Sequence, residues 1–117
     1  MNYLSTRGRA PVLGFEGVLL AGLASDGGLY VPATWPRFEP SDWAALAGLD
    51  YAEAAARVIA PFIGAAIAPE RLSALARDAY RGFAHPATAP LVQIDDNDWL
   101  LELFHGPTLA FKDVGAR

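Results

Sequence analysis

The sequence predicts a small α+β domain of several short helices and a short antiparallel β-hairpin. Three observations carry this expectation. Leu72, Leu75, Ala76, Ala79, Tyr80 and Phe83 recur at helical spacing, with Arg71, Arg77, Asp78 and Arg81 on the other face. Two apolar runs, Leu91 to Ile94 and Trp99 to Phe104, flank the polar segment Asp95-Asp96-Asn97-Asp98, as in a hairpin with Asp96-Asn97 near its tip. Finally, a chain of 117 residues, 53% hydrophobic and 19% charged, is long enough for one domain with a modest core and too apolar for disorder.

The remaining elements follow in order. Asn2 to Thr6 suits a short strand, with Tyr3 and Ser5 alternating with Leu4. Arg7 to Pro11 reads as a loop. Phe15, Val18, Leu19 and Gly22 predict a helix from about Gly14 to Ala21, with Gly22 as its stop. Ser25-Asp26-Gly27-Gly28 is a turn, followed by a strand Leu29-Tyr30-Val31 that Pro32 ends or places at an edge. Thr34 to Pro40, with Trp35, Pro36 and Phe38, is expected to lie as an aromatic loop across the core. Ser41 is the expected cap of a short helix carrying Trp43, Leu46 and Ala47 and stopped by Gly48. Asp50 and Glu53 have capping-box spacing, and the helix after them should end near Ala60, because Pro61 cannot continue it. Pro69 suits the first position of the Leu72 helix. His85 to Pro90 reads as an extended connector. After the hairpin, His105-Gly106-Pro107 breaks the second strand, Thr108 can cap, and a helix can begin at Leu109.

Composition excludes several functions. The net charge of −4 offers no basic footprint, so no nucleic-acid partner is expected, and the lack of cysteine removes disulfides and thiolate zinc sites. The Asp95–Asp98 cluster lacks a glycine-centred calcium-loop pattern and reads as a solvated turn; no metal site is expected. The first residues show no basic stretch followed by an apolar one, as a signal peptide would. The longest apolar run, Val58 to Ala68, is cut by Pro61 and is too short to cross a bilayer, so neither a membrane partner nor a membrane location is expected. The expectation is a cytoplasmic domain. Its apolar content further suggests more apolar surface than a small monomer can bury, hence a packing partner.

The chemistry concentrates near residue 112. Lys112 is the only lysine; every other cation is an arginine. A guanidinium stays charged in proteins, whereas a lysine amine can lose its proton and attack a carbonyl. The expected strand-loop-helix passage puts Lys112 in a first helical turn among Leu109, Ala110 and Phe111. The helix dipole and burial there favour the neutral amine, and Asp113 opposes them. Position alone leaves the protonation state open. Read without further context, a Lys-Asp pair at a helix start is solvated surface, Thr108 is an N-cap, His105 is a loop residue and His85 has no assigned role.

The segment Leu101-Glu102-Leu103-Phe104-His105-Gly106-Pro107-Thr108-Leu109-Ala110-Phe111-Lys112-Asp113 resembles the pyridoxal-phosphate lysine segment of the threonine synthase family. The resemblance extends to Tyr3 with Ser5-Thr6-Arg7-Gly8, to Phe15–Gly22 with Leu23–Pro32, to Tyr51–Gly64, and to Pro90-Leu91-Val92-Gln93. It is colinear and covers essentially the whole chain. The resemblance implies an N-terminal domain over residues 1–100. Residues 101–117 would begin a tryptophan-synthase-β-like catalytic domain that uses pyridoxal 5'-phosphate. It implies that Lys112 is the catalytic residue and holds the cofactor covalently, and that His105, Gly106, Pro107, Thr108, Phe111 and Asp113 shape the pocket around it. The implied substrate is O-phospho-L-homoserine, converted with water to L-threonine and phosphate, with the lysine moving protons at the α- and β-carbons. Family members continue for several hundred residues, so the partner of this chain would be the C-terminal catalytic domain, and the chain alone is expected to bind cofactor weakly and to be inactive. The competing readings are a non-catalytic interaction or structural domain, which would tolerate arginine at position 112, and another enzyme of the same cofactor class, such as a dehydratase.

Overall fold

The computed structural model describes residues 1–115; Ala116 and Arg117, the end of the 101–117 segment, lie outside the described residues. The chain forms two compact units, Met1–Ala47 with Arg57–Pro69 and Gly48–Ala56 with Glu70–Arg117.

The first unit carries a three-stranded antiparallel sheet in the order β2-β1-β3, formed by β1 (Asn2–Ser5), β2 (Leu13–Gly14) and β3 (Tyr30–Pro32). Tyr3 sits opposite Leu13 on one side and Pro32 on the other. Strand β2, too short for a periodicity signal, follows the loop read over Arg7 to Pro11 and takes Gly14, where sequence places the helix start. Pro32 is tolerated because β3 is an edge strand. In β1 the buried face is Tyr3 and Ser5, and Leu4 points outward. The polar atoms on that face are satisfied: the Tyr3 hydroxyl donates to the Phe62 carbonyl at 2.7 Å, and Ser5 Oγ donates to Asp26 at 2.7 Å.

Asp26 organises the loops beside this sheet. Its carboxylate also accepts from the backbone amides of Arg9, Ala10 and Gly28 at 2.9–3.0 Å. Burial alone would raise its pKa, but these bonds together with Ser5 outweigh burial and hold it at about 2, below the ordinary 3.8. Gly28 is glycine for want of space: an added Cβ would collide with Ser5 Oγ and lie 3.0 Å from Asp26 Oδ1.

Helix α1 (Phe15–Ala21) ends as expected at Gly22, which has φ +66° and donates to the Val18 carbonyl. None of its residues is buried, and Leu19 and Leu20 stand in solvent. Helix α2 (Pro40–Ala44) is capped two residues earlier than the sequence suggests. Pro40 takes the first helical position, where its missing N–H costs nothing, so Glu39 becomes the cap and its amide donates to Asp42 at 2.8 Å. Ser41 is therefore inside the helix rather than capping it, and Leu46 and Ala47 fall in the turns that follow. The aromatic loop is more peripheral than expected: Trp35 meets the Phe62 ring edge-on at 6.2 Å but remains exposed.

Helix α3 (Tyr51–Ile63) begins as its spacing predicts, with the Glu53 amide donating to Asp50 at 2.7 Å. It does not stop before Pro61. A proline removes only its own hydrogen bond and crowds one carbonyl, a local cost in a last turn that ends on the buried Ile63. A 3₁₀ turn (Gly64–Ala66) follows.

Helix α4 (Pro69–Tyr80), in the second unit from Glu70 on, starts at the expected proline and buries Leu72 and Ala76. Rings continue this apolar face: Tyr80 meets Tyr51 at 4.8 Å and Phe83 at 5.5 Å. Burial raises the Tyr80 hydroxyl pKa, with Tyr51 adding to the effect. Arg77 pairs with Glu53 at 3.6 Å. The segment His85–Pro90 is a folded turn rather than an extended connector. Thr88 is buried at φ +60°, its amide donates to the His85 carbonyl, and the Ala87 amide donates to His85 Nδ1. Strands β4 (Leu91–Gln93) and β5 (Trp99–Leu101) form the expected antiparallel hairpin, in the register Leu91 to Leu101 and Gln93 to Trp99. Every residue of both strands is exposed, which matches the expected excess of apolar surface. Helix α5 (Lys112–Gly115) is a single turn, tied to α4 by the Tyr80 hydroxyl donating to the Val114 carbonyl at 3.2 Å.

Candidate lysine site

The residues that sequence singles out lie on the passage from β5 to α5. Lys112 is the first residue of α5, and its neighbour Asp113 is buried. The Asp113 carboxylate is directed into the preceding turn. Its Oδ2 accepts from both the backbone amide and the hydroxyl of Thr108, each at 2.8 Å. Thr108 therefore does not cap a helix beginning at Leu109. It donates forward to Asp113, and the helix begins only at Lys112. Two further features shape the turn. Leu109 lies at φ +59°, a left-handed conformation unusual for a large side chain, and donates to the Gly106 carbonyl. Gly106 is buried against Asp113: a Cβ there would lie 2.5 Å from Oδ2 and 2.7 Å from Cγ.

Lys112 itself is exposed, as are Leu109 and Phe111 at 73% and 67%. The burial expected to favour its neutral form is not provided by the described residues. Its amine enters no ion pair among them. Pro107 is also exposed, on the outer side of the turn.

His105 is held by a partner that sequence leaves without a role. Its Nε2 and Glu102 Oε2 are 2.6 Å apart, and both side chains are about one-fifth exposed. Glu102 is the one acidic residue of an otherwise apolar run, and its i,i+3 spacing to His105 is the signal that could have found the pair. The His105 ring packs at 5.0 Å from the His85 ring and 4.7 Å from Phe104, so the turn at His85 joins the same cluster. The His105 carbonyl accepts from the Ala84 amide at 2.8 Å. Among the described residues no group of three or more His, Cys, Asp or Glu side chains could hold a metal ion, and no helix is long and apolar enough to cross a membrane.

The arrangement thus offers one exposed primary amine at the end of a tightly braced turn, and a carboxylate-bound imidazole at the start of that turn. Comparison with known proteins gives this geometry its context. The model of the threonine synthase N terminus matches residues 2–80. The chain is similar to the threonine synthase of Pseudomonas aeruginosa, 58% identical over 97% of this chain and 24% of that one. It is similar also to the threonine synthase of Schizosaccharomyces pombe, 42% identical over 97% of this chain and 22% of that one. The crystal structure of PLP-bound threonine synthase from Brucella melitensis superposes with a TM-score of 0.93 at 55% identity, over 97% of this chain and 25% of that one. The chain spans about a quarter of the length of these relatives. The match to the family model over more than half of its residues shows that the chain belongs to the threonine synthase family, as the family's N-terminal part.

Proposed function

We propose that this chain supplies the cofactor lysine of a pyridoxal-phosphate-dependent threonine synthase, the lyase that converts O-phospho-L-homoserine and water to L-threonine and phosphate. The observation that carries the reading is Lys112: the only lysine of the chain, exposed at the head of α5 with no ion pair among the described residues. The donor set fits the cofactor, because an aldehyde needs a primary amine and the chain offers only Lys112 and the amino terminus of Met1. Bound pyridoxal phosphate would supply an electron sink for charge developing on the substrate. Lys112 would hold the cofactor through its amine and, once released, carry protons at the α- and β-carbons of the substrate. Gly106, Pro107, Thr108 and Asp113 form the turn that presents Lys112, His105 leads into that turn, and Phe111 lies beside the lysine; these residues would shape the pocket wall. We assign residues 1–100 to the N-terminal domain and 101–117 to the beginning of the catalytic domain. With a quarter of its relatives' length, the chain would bind cofactor weakly and leave turnover to the longer polypeptide.

Reductive trapping tests this. The chain is incubated with pyridoxal phosphate, reduced with borohydride and mapped by mass spectrometry. The expected result is an adduct mainly at Lys112, with Lys112→Arg leaving only the Met1 label. Equal labelling of Met1 and Lys112 in the original chain would refute a preset lysine site here and favour a structural role for these residues.

A further inference from the structure

We infer that Asp113 is a positioning residue for Lys112, acting through the turn 106–113 that it braces. The inference deepens the proposed function and rests on Lys112 being the cofactor lysine.

Consecutive residues of a helical turn project about 100° apart. With Asp113 drawn into the protein, Lys112 must leave at the neighbouring angle, and it stands in solvent. What draws Asp113 inward is specific. Both donors of Thr108 converge on one oxygen, Oδ2, at 2.8 Å. A single-turn helix has too few internal bonds to set its own orientation, so external ties set it: the Tyr80 bond to the Val114 carbonyl, and the Thr108 bonds that fix the direction of Asp113.

Two otherwise unfavourable features make sense as consequences of the tie. The space a side chain at Gly106 would need is taken by the Asp113 side chain. Leu109 is held at φ +59°, which swings the chain from Thr108 round to the helix start and keeps the acceptor within reach of both donors. A carboxylate of this length fits. Glutamate would press further into Gly106. Asparagine could set its one carbonyl oxygen where Oδ2 lies and accept both donors, but as a neutral and therefore weaker acceptor. Placing a reacting group to within a fraction of an ångström requires support of this kind from residues that do no chemistry themselves.

The test compares the original chain with Asp113→Ala, Asp113→Asn, Thr108→Val and Thr108→Ser, each checked for folding by circular dichroism. One readout is the ratio of trapped pyridoxal phosphate at Lys112 to that at Met1, an internal standard in every molecule. The other, independent of cofactor, is amide hydrogen exchange at Thr108 and Val114. Asp113→Ala should lower the labelling ratio about tenfold and remove protection at both amides. Thr108→Val should lower the ratio several-fold, and Thr108→Ser should restore it. Asp113→Asn should fall between. An unchanged ratio in folded Asp113→Ala or Thr108→Val overturns the proposal, as does a changed ratio with unchanged exchange, because the effect would not run through the turn. If the original chain shows no preference for Lys112, the lysine assignment fails for this chain. The exchange readout then decides alone: loss of protection at Thr108 and Val114 together supports the tie, and retention of either refutes it.

Discussion

Replacing Gly106 by alanine is the sharpest challenge to the described turn. The added Cβ would lie 2.5 Å from Asp113 Oδ2 and 2.7 Å from Cγ, where carbon and oxygen need well over 3 Å. Two responses are open. If the turn and Asp113 strain to share the space, overpacking costs about 1–3 kcal/mol. If Asp113 swings out, the Thr108 bonds to its carboxylate are lost, at about 1.5–3 kcal/mol for a bond to a charged group. With two such bonds the second route costs more, so the first sets the loss at about 2 kcal/mol, close to 10 °C in the melting midpoint if the whole chain unfolds together. The turn can also open locally, so amide exchange at Leu109, which bonds to the Gly106 carbonyl, is the second assay. Asp113→Ala in the Gly106→Ala background should cost less than the two single changes added, because the carboxylate that creates the clash is gone. A Gly106→Ala chain with both the original midpoint and the original Leu109 exchange rate would refute the close packing described.

Two further outcomes follow from the geometry. Asp26 has a folded pKa of about 2, below its ordinary 3.8, so its contribution to stability is fully present above about pH 4 and is lost as pH falls through about 2. Denaturant midpoints measured between pH 5 and 2 should show this loss, and Asp26→Asn should flatten that part of the profile. Leu109→Gly should leave stability unchanged or raise it by up to about 1 kcal/mol, since relief of the left-handed strain, about 1–2 kcal/mol, exceeds the added chain entropy of glycine. The Leu109 side chain is 73% exposed and gives up little burial; a loss above about 1 kcal/mol on denaturant titration would contradict this.

The elements legible in the sequence are those that local pattern alone decides. The Leu72 helix starts at Pro69, the hairpin turns at Asp96-Asn97, and α1 stops at Gly22, because capping, turn geometry and periodicity act within a few residues. Failures occur where a distant partner overrides the local signal. Strand β2 exists only through its pairing with Asn2 and Tyr3. Pro61 looks like a terminator, yet the helix carries on to a buried Ile63. The cap of α2 moved to Glu39 because local rules compete: a good cap residue at position 41 lost to a proline suited to the first helical position.

The site shows the same division at finer grain. Lysine usage and the resemblance of residues 101–113 single out Lys112 from sequence alone. What they left open was the direction of Asp113. Read locally, it is a carboxylate beside an amine and should bias that amine towards its charged form. In three dimensions it turns to Thr108, five residues back, because two converging donors and the missing Cβ at Gly106 make that the favourable place for a buried carboxylate. His105 likewise gains its meaning from Glu102, whose burial in an apolar run is tolerated because an imidazole satisfies it. The two carboxylates follow one rule: each is received by a side chain three to five residues away. Glu102→Leu tests that rule where the sequence would least object, since leucine continues the apolar run; it should leave His105 without its partner and loosen the turn that presents Lys112.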